Sequence, residues 1–178
     1  MSIRLATLTD APAINAIYAP SITHGVASFE QMPPTDAEMA ERIRRTLVER
    51  PWLVYEEAGT VWGYAYAARH RERLAYQWSV EVSVYVHQAR LRCGVGRALY
   101  RELFQQLQRQ GYYNAYAGIT LPNAASVALH ETFGFVPVGI YRNTGFKIGR
   151  WWDVGWWQKR LCPHTVPVDA PLALVAGG

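Results

Sequence analysis

The 178-residue chain has little of what several functional classes require. It holds two cysteines, Cys93 and Cys162, far apart, with no C-x-x-C pair and no histidine cluster. A structural metal and a disulfide framework are therefore not expected. No apolar run approaches the length of a membrane span, and the opening residues MSIRLATLTDA lack the apolar stretch of a secretory signal. No membrane partner is expected, and a cytoplasmic, reducing location is. Charge of one sign is not concentrated: 18 Lys and Arg stand against 14 Asp and Glu, a formal net charge of +4. The scattered surplus carries no nucleic-acid signature, although it is available to an anionic ligand. A P-loop is excluded, because no G-K-[ST] follows a four-residue spacer. The dinucleotide motif is incomplete. After Gly94 and Gly96 its third glycine position holds Leu99, and Asn114–Leu121, the following extended segment, contains no acidic residue for a ribose.

Half of the residues are hydrophobic and seven are Trp, a composition that folds around a core. The length favours one domain over residues 1–162, with an irregular tail over 163–178. The central signal is VEVSVYVHQARLRCGVGRAL, Val80 to Leu99. Val80, Val82, Val84 and Val86 alternate as in a half-buried strand. A basic loop, His87–Arg92, follows, and Gly94-Val95-Gly96 opens an amphipathic helix with Leu99, Leu103, Phe104 and Leu107 on one stripe. Strand, glycine loop and helix start together hold anions, because first-turn amides are unpaired and the helix dipole favours negative charge. With the nucleotide motifs excluded, a loop for the pyrophosphate of coenzyme A remains. Glu81, on the same strand, places a carboxylate nearby.

Ile3–Thr7 predicts a first strand, and Asp10 the N-cap of a helix carrying Ile14, Ile17 and Tyr18. Val26–Glu30 reads as a loop or short extended segment. Thr35-x-x-Glu38 is a capping box before a helix with Met39, Ile43 and Leu47 on one face. Trp52–Glu56 and Val61–Ala68 predict strands around a turn at Ala58-Gly59. The charged loop Arg69–Leu74 leads to a strand over Tyr76–Val86. Gly111 ends the glycine-loop helix, Asn114–Leu121 predicts a strand, and Pro122-Asn123 opens a short helix through Thr132. Gly134–Tyr141 and Arg150–Lys159 predict a last strand pair across Gly145–Gly149, and from Pro163 a loose surface chain. The order β-α-α-β-β-β-α-β-α-β-β is mixed α/β, one central sheet flanked by helices.

Five segments in this order, PWLVYEEAGTVWGYAYA, AYQWSVEVSVYV, the glycine loop, LPNAASVALHETFGF and GFKIGRWWDVGWWQ, resemble the GNAT acetyltransferases. Within them the chain is similar to the phosphinothricin N-acetyltransferase group and its methionine sulfoximine relatives. The resemblance runs from about residue 3 to 160, and F-K-x-G-x-W-x-D-V is its most specific part. The chain departs from the superfamily pattern at Leu91 and Arg92, where Gln or Arg and then Gly are usual.

The resemblance implies the GNAT fold, acetyl-CoA as co-substrate, no metal, a small amine acceptor and a homodimer. It implies Glu81 as general base and His130 as a catalytic acid or base. For the cofactor it implies Arg92, Cys93, Gly94, Val95, Gly96 and Arg97 at the pyrophosphate. It adds the backbone of Val84, Tyr85 and Val86 at the pantetheine and thioester, with Asn123 and Ser126 on the same arm. For the acceptor it implies Arg71, Arg73, Phe29, Ser83 and Glu81. Each has a plainer reading from the residues alone: Glu81 on a polar strand face, His130 in a structural hydrogen bond, Asn123 as an N-cap, Arg71 and Arg73 in a solvated turn, Phe29 in the core. Acetylation of a protein N-terminus or a polyamine, and a non-catalytic acyl-CoA-binding domain, are the competing expectations.

Overall fold

The computed structural model describes residues 1–165 and 169–174. Seven strands form one sheet: β1 (Ser2–Leu5), β2 (Trp52–Glu57), β3 (Thr60–Arg69), β4 (Ser79–Val86), β5 (Asn114–Leu121), β6 (Val136–Lys147) and β7 (Arg150–Arg160), ordered β1-β2-β3-β4-β5-β7-β6. Four helices accompany them: α1 (Ala11–Thr23), α2 (Asp36–Leu47), α3 (Val95–Arg109) and α4 (Ala124–Thr132). The α/β order expected from the sequence is the observed one. Every pairing is antiparallel except β4 with β5.

Alternation along the strands sorts side chains onto two faces. Leu53, Ala65, Ala67, Val80, Val82, Ala115, Ala117, Ile119 and Trp157 meet α3 in one core, with Leu99, Tyr100, Leu103 and Leu107. Trp52, Val54 and Tyr64 meet α1 and α2 in a second core, with Ile14, Ile17, Met39 and Ile43. Close approach of α3 requires Gly63, where a Cβ would lie 2.8 Å from Val95 Cγ1 and 3.0 Å from the Tyr85 carbonyl oxygen.

Several local expectations are corrected. Asp10 holds the N-cap position of α1, as expected, but its side chain makes no capping bond there. Its carboxylate instead accepts from the Thr7 N–H (2.7 Å) and from Arg4 (2.7 and 2.8 Å), because a single 3-10 turn, Leu8–Asp10, intervenes. Thr35 and Glu38 do form the capping box. Tyr76 belongs to another such turn, Leu74–Tyr76, so β4 starts at Ser79. The β6–β7 turn is only Ile148-Gly149, both with positive φ, since β6 continues through an irregularity between Tyr141 and Gly145. There Asn143, at φ 48°, gives its N–H to Asp153 Oδ1 at 2.8 Å. The described tail residues form no helix or strand. Leu172 exchanges backbone and side-chain hydrogen bonds with Gln110 (2.7 and 3.0 Å), and Trp78 Nε1 donates to the Asp169 carbonyl at 2.6 Å.

Candidate active site

The central sheet opens in the middle. β4 and β5 pair only at Ser79–Asn114, Val80–Ala115 and Glu81–Tyr116, and beyond Glu81 β4 keeps only β3 as a partner. The strands splay, and a cleft of about 160 Å³ forms between them. Val82, Ser83, Val84 and Tyr85 line one wall, Gly118 and Thr120 another, and Asn123, Ser126, Tyr100 and His130 the α4 side. Backbone donors and acceptors on this flank of β4 have no strand to satisfy them, a geometry suited to an extended polar chain such as pantetheine.

The glycine loop lies at the start of α3. Arg92 (φ 60°) and Gly94 (φ 83°) are both left-handed, and together they turn the chain sharply into the helix. Gly94 is the N-cap and offers no side-chain cap, so the amides of Val95, Gly96 and Arg97 lack intrahelical acceptors. Arg92, Cys93, Gly94 and Arg97 are exposed while the Val95 side chain is in the core. These amides, flanked by two guanidinium groups, fit the pyrophosphate of acetyl-CoA. At Gly96 a Cβ would rest 3.5–3.7 Å from Val86, Leu129 and Val84. Its open side thus faces apolar side chains rather than the loop exterior, and Val86 contributes packing there.

Asn123 caps α4, its Oδ1 accepting from the Ser126 N–H at 3.1 Å. His130 is 4% exposed. Its Nδ1 donates to the Ser126 carbonyl at 2.7 Å, so Nε2 accepts from the Tyr100 hydroxyl at 2.9 Å. Burial lowers the His130 pKa, which the Ser126 hydrogen bond only partly opposes, and burial raises that of Tyr100. The pair is therefore neutral.

Glu81 lies on the opposite face from Val80 and Val82, with Ser83 and Tyr85. Its side chain is 32% exposed, and Oε1 accepts from His70 Nδ1 at 3.0 Å and Arg71 Nη1 at 3.2 Å. His70 and Arg71 line a cavity of about 200 Å³ with Tyr116, Gly139, Tyr141 and Trp156. Arg73 does not join them at Glu81. It lines a neighbouring cavity of about 310 Å³ that also holds Arg71, Arg50, Arg69 and Leu172. His70 is the site residue that sequence reasoning misses. The signal that finds it is register: Ala68 pairs with Glu81, so His70, two residues on, falls on the same face.

Phe29 packs on the hairpin rather than into the cleft, and a Cβ at Gly145 would overlap its ring. Ala27, two residues earlier, lines the cleft. Lys147, 5% exposed, donates to the Ser28 carbonyl at 2.6 Å, and burial lowers its pKa against the opposing charge of Glu30. The Ser28 hydroxyl meets Tyr18 at 2.7 Å, and Tyr18 and Arg42 both bind Glu30. The GFK segment thus ties the α1–α2 loop, residues 24–35, to the β6–β7 hairpin.

Among the described residues no group of His, Cys, Asp and Glu is arranged to hold a metal, and no helix is long and apolar enough to cross a membrane.

Comparison with known proteins agrees with this geometry. A family profile described as an acetyltransferase (GNAT) domain matches residues 3–156. A phosphinothricin N-acetyltransferase of Streptomyces viridochromogenes is 40% identical over 159 residues, 89% of this chain and 87% of that protein. An L-methionine sulfoximine/L-methionine sulfone acetyltransferase of Salmonella typhimurium is 38% identical over 168 residues, 94% of this chain and 98% of the relative. The crystal structure of a GNAT superfamily phosphinothricin acetyltransferase from Sinorhizobium meliloti, in complex with acetyl-CoA, superposes with a TM-score of 0.87 at 37% identity, covering 94% of each chain. With its splayed sheet and amide-lined helix start, this chain belongs to the GNAT acetyltransferase family and is an acetyl-CoA-dependent N-acetyltransferase.

Proposed function

We propose that the protein moves the acetyl group of acetyl-CoA directly to the amine of a small amino-acid-like acceptor, of the phosphinothricin and methionine sulfoximine or sulfone class, with Glu81 in the proton-accepting machinery. The observation that carries this reading is the Glu81 carboxylate, held by Arg71 beside a cavity on one face of the splay while the α3 amides open at its end. An α-amine has a pKa of about 8 and arrives largely protonated, so a base beside it is needed. Arg71, with Arg73 one cavity further, grips the acceptor's acidic groups through paired charge-assisted hydrogen bonds. Ser83 and Phe29 serve the acceptor side, and the backbone of Val84, Tyr85 and Val86 orients the thioester and polarises its carbonyl. Arg92, Cys93, Gly94, Val95, Gly96 and Arg97 hold the pyrophosphate, and Asn123 and Ser126 the pantetheine arm. The Tyr100–His130 pair serves the departing thiolate on the α4 side. Arginine on the acceptor side argues against polyamines, which need carboxylates.

The exposed apolar row Val136, Val138 and Ile140 on β6, with Phe146 and Trp151 at the hairpin, supports a homodimer. We place the enzyme in the cytoplasm, where acetyl-CoA is made and used.

The test is thiol release from acetyl-CoA against phosphinothricin, methionine sulfoximine, methionine sulfone, ordinary amino acids, a peptide N-terminus and polyamines. The acidic small acceptors should give the highest kcat/KM. Preference for a polyamine or peptide would replace this reading, and thiol release with none of these amines would point to a binding domain.

A further inference from the structure

His70 is built like a catalytic imidazole. Its Nδ1 faces Glu81 Oε1 at 3.0 Å. A carboxylate only accepts hydrogen bonds, so Nδ1 carries a proton, and in the neutral ring the lone pair sits on Nε2. Among the described residues Nε2 has no hydrogen-bond partner, whereas Nδ1 does. The ring stacks on Tyr116, with centroids 4.3 Å apart and planes 12° apart. Tyr76 and Trp156 approach it edge-on at 6.0 and 6.4 Å. With a side chain only 13% exposed, it is fixed in one orientation at the wall of the cavity beside Glu81. Oriented base, orienting carboxylate and free second nitrogen are the arrangement that makes an imidazole an efficient proton acceptor.

We propose that His70 is the general base of acetyl transfer, with Glu81 as the carboxylate that fixes its tautomer and stabilises the imidazolium. The idea rests on the cavity lined by His70 and Arg71 being the acceptor site. The ammonium first gives one proton to His70 Nε2, which passes it to solvent. Then, as the amide C–N bond forms and the thioester C–S bond breaks, the electron pair of the C–S bond leaves with sulfur and the second N–H proton passes to His70 Nε2. The imidazolium then returns its proton to solvent. The charged and titratable groups around the ring are Glu81 on β4, Arg71 in the same loop, Tyr76 in the preceding turn, Tyr116 on β5 and, across the cavity, Tyr141 on β6.

The experiment combines a turnover-free and a kinetic arm on the full chain. Two-dimensional nitrogen NMR of the wild type should show His70 as the Nδ1–H tautomer. An Nε2–H tautomer overturns the proposal whatever the acceptor proves to be, which separates its failure from that of the proposed function. His70→Phe keeps the stack on Tyr116, and His70→Gln serves if that variant does not fold. Either should lower kcat on the best acceptor by about 10²-fold, with acetyl-CoA affinity unchanged. Free imidazole should restore His70→Gly at least tenfold. Glu81→Gln combined with His70→Phe should be no more than a few-fold worse than the worse single variant, because the two act as a unit. A kcat within a few-fold of wild type in His70→Phe assigns the proton to Glu81 alone. A fall that imidazole does not rescue makes His70 structural.

Discussion

His70 and His130 flank the splayed strands from opposite faces, and each gives one ring nitrogen to an oxygen. There the likeness ends. His130 is buried under α4, and both its nitrogens are engaged, by the Ser126 carbonyl and the Tyr100 hydroxyl. Its bonds hold the cleft wall and keep the ring neutral. His70 has a carboxylate on one nitrogen, no partner among the described residues on the other, and a place in the wall of a cavity. A histidine marked by motif position can thus be saturated by its neighbours, while one hidden in a charged turn keeps a nitrogen without a partner among the described residues. On the proposed reading the open face takes the amine's proton, and the closed face shapes the cleft wall and serves the departing thiolate.

The largest expected effect breaks the open face. Glu81→Gln keeps the side chain's shape and removes its charge, and should lower kcat by roughly 10²–10⁴-fold while acetyl-CoA binding is retained. Steady-state kinetics with calorimetry of acetyl-CoA binding checks this, and a rate within a few-fold of wild type would move the chemistry away from that face.

A smaller effect concerns the loop between the faces. Lys147→Met fills the same space but gives up the charge-assisted bond to the Ser28 carbonyl. Because Ala27 lines the cleft assigned to pantetheine, acetyl-CoA KM should rise roughly tenfold with kcat within a few-fold. Hydrogen exchange should quicken over the loop. Unchanged exchange would deny the Lys147 tie.

The smallest effect sharpens the closed face. An unfolded imidazole titrates near a pKa of about 6.5, and burial lowers that of native His130. The unfolded chain therefore binds more protons than the native one as pH falls below that value, and stability should decline towards pH 5. Asp10 and Glu30, whose pKa values are lowered by Arg4 and Arg42 against the effect of burial, lose their contributions only at more acid pH. Thermal midpoints between pH 7.5 and 5 should fall in the wild type and flatten in His130→Gln. Parallel curves would contradict the buried neutral assignment.

Most of the fold is legible in the sequence because its signals are local. The alternation of Val80 to Val86, the Thr35–Glu38 capping box and the glycine-loop helix are each encoded within a few residues. Asp10 makes no side-chain capping bond because Arg4 and Thr7 claim its carboxylate, a competition that a cap signature does not contain. The site is less legible for the same reason. The His70–Glu81 pair depends on β3–β4 register, and the splay depends on pairing stopping after three residues. The F-K-x-G segment stands out as a motif, yet its contact with Ser28 joins residues 119 positions apart.

The most direct test of the division between faces asks whether the open face reads an acid. kcat/KM for the best acceptor and for its carboxyl amide should be measured in the wild type, Arg71→Ala and Arg73→Ala. Loss of one charge-assisted contact costs about 1.5–3 kcal/mol, so each variant should lose roughly ten- to a hundredfold on the acid and little on the amide. The wild type should prefer the acid. Unimpaired variants, or a wild type that prefers the amide, would contradict the account.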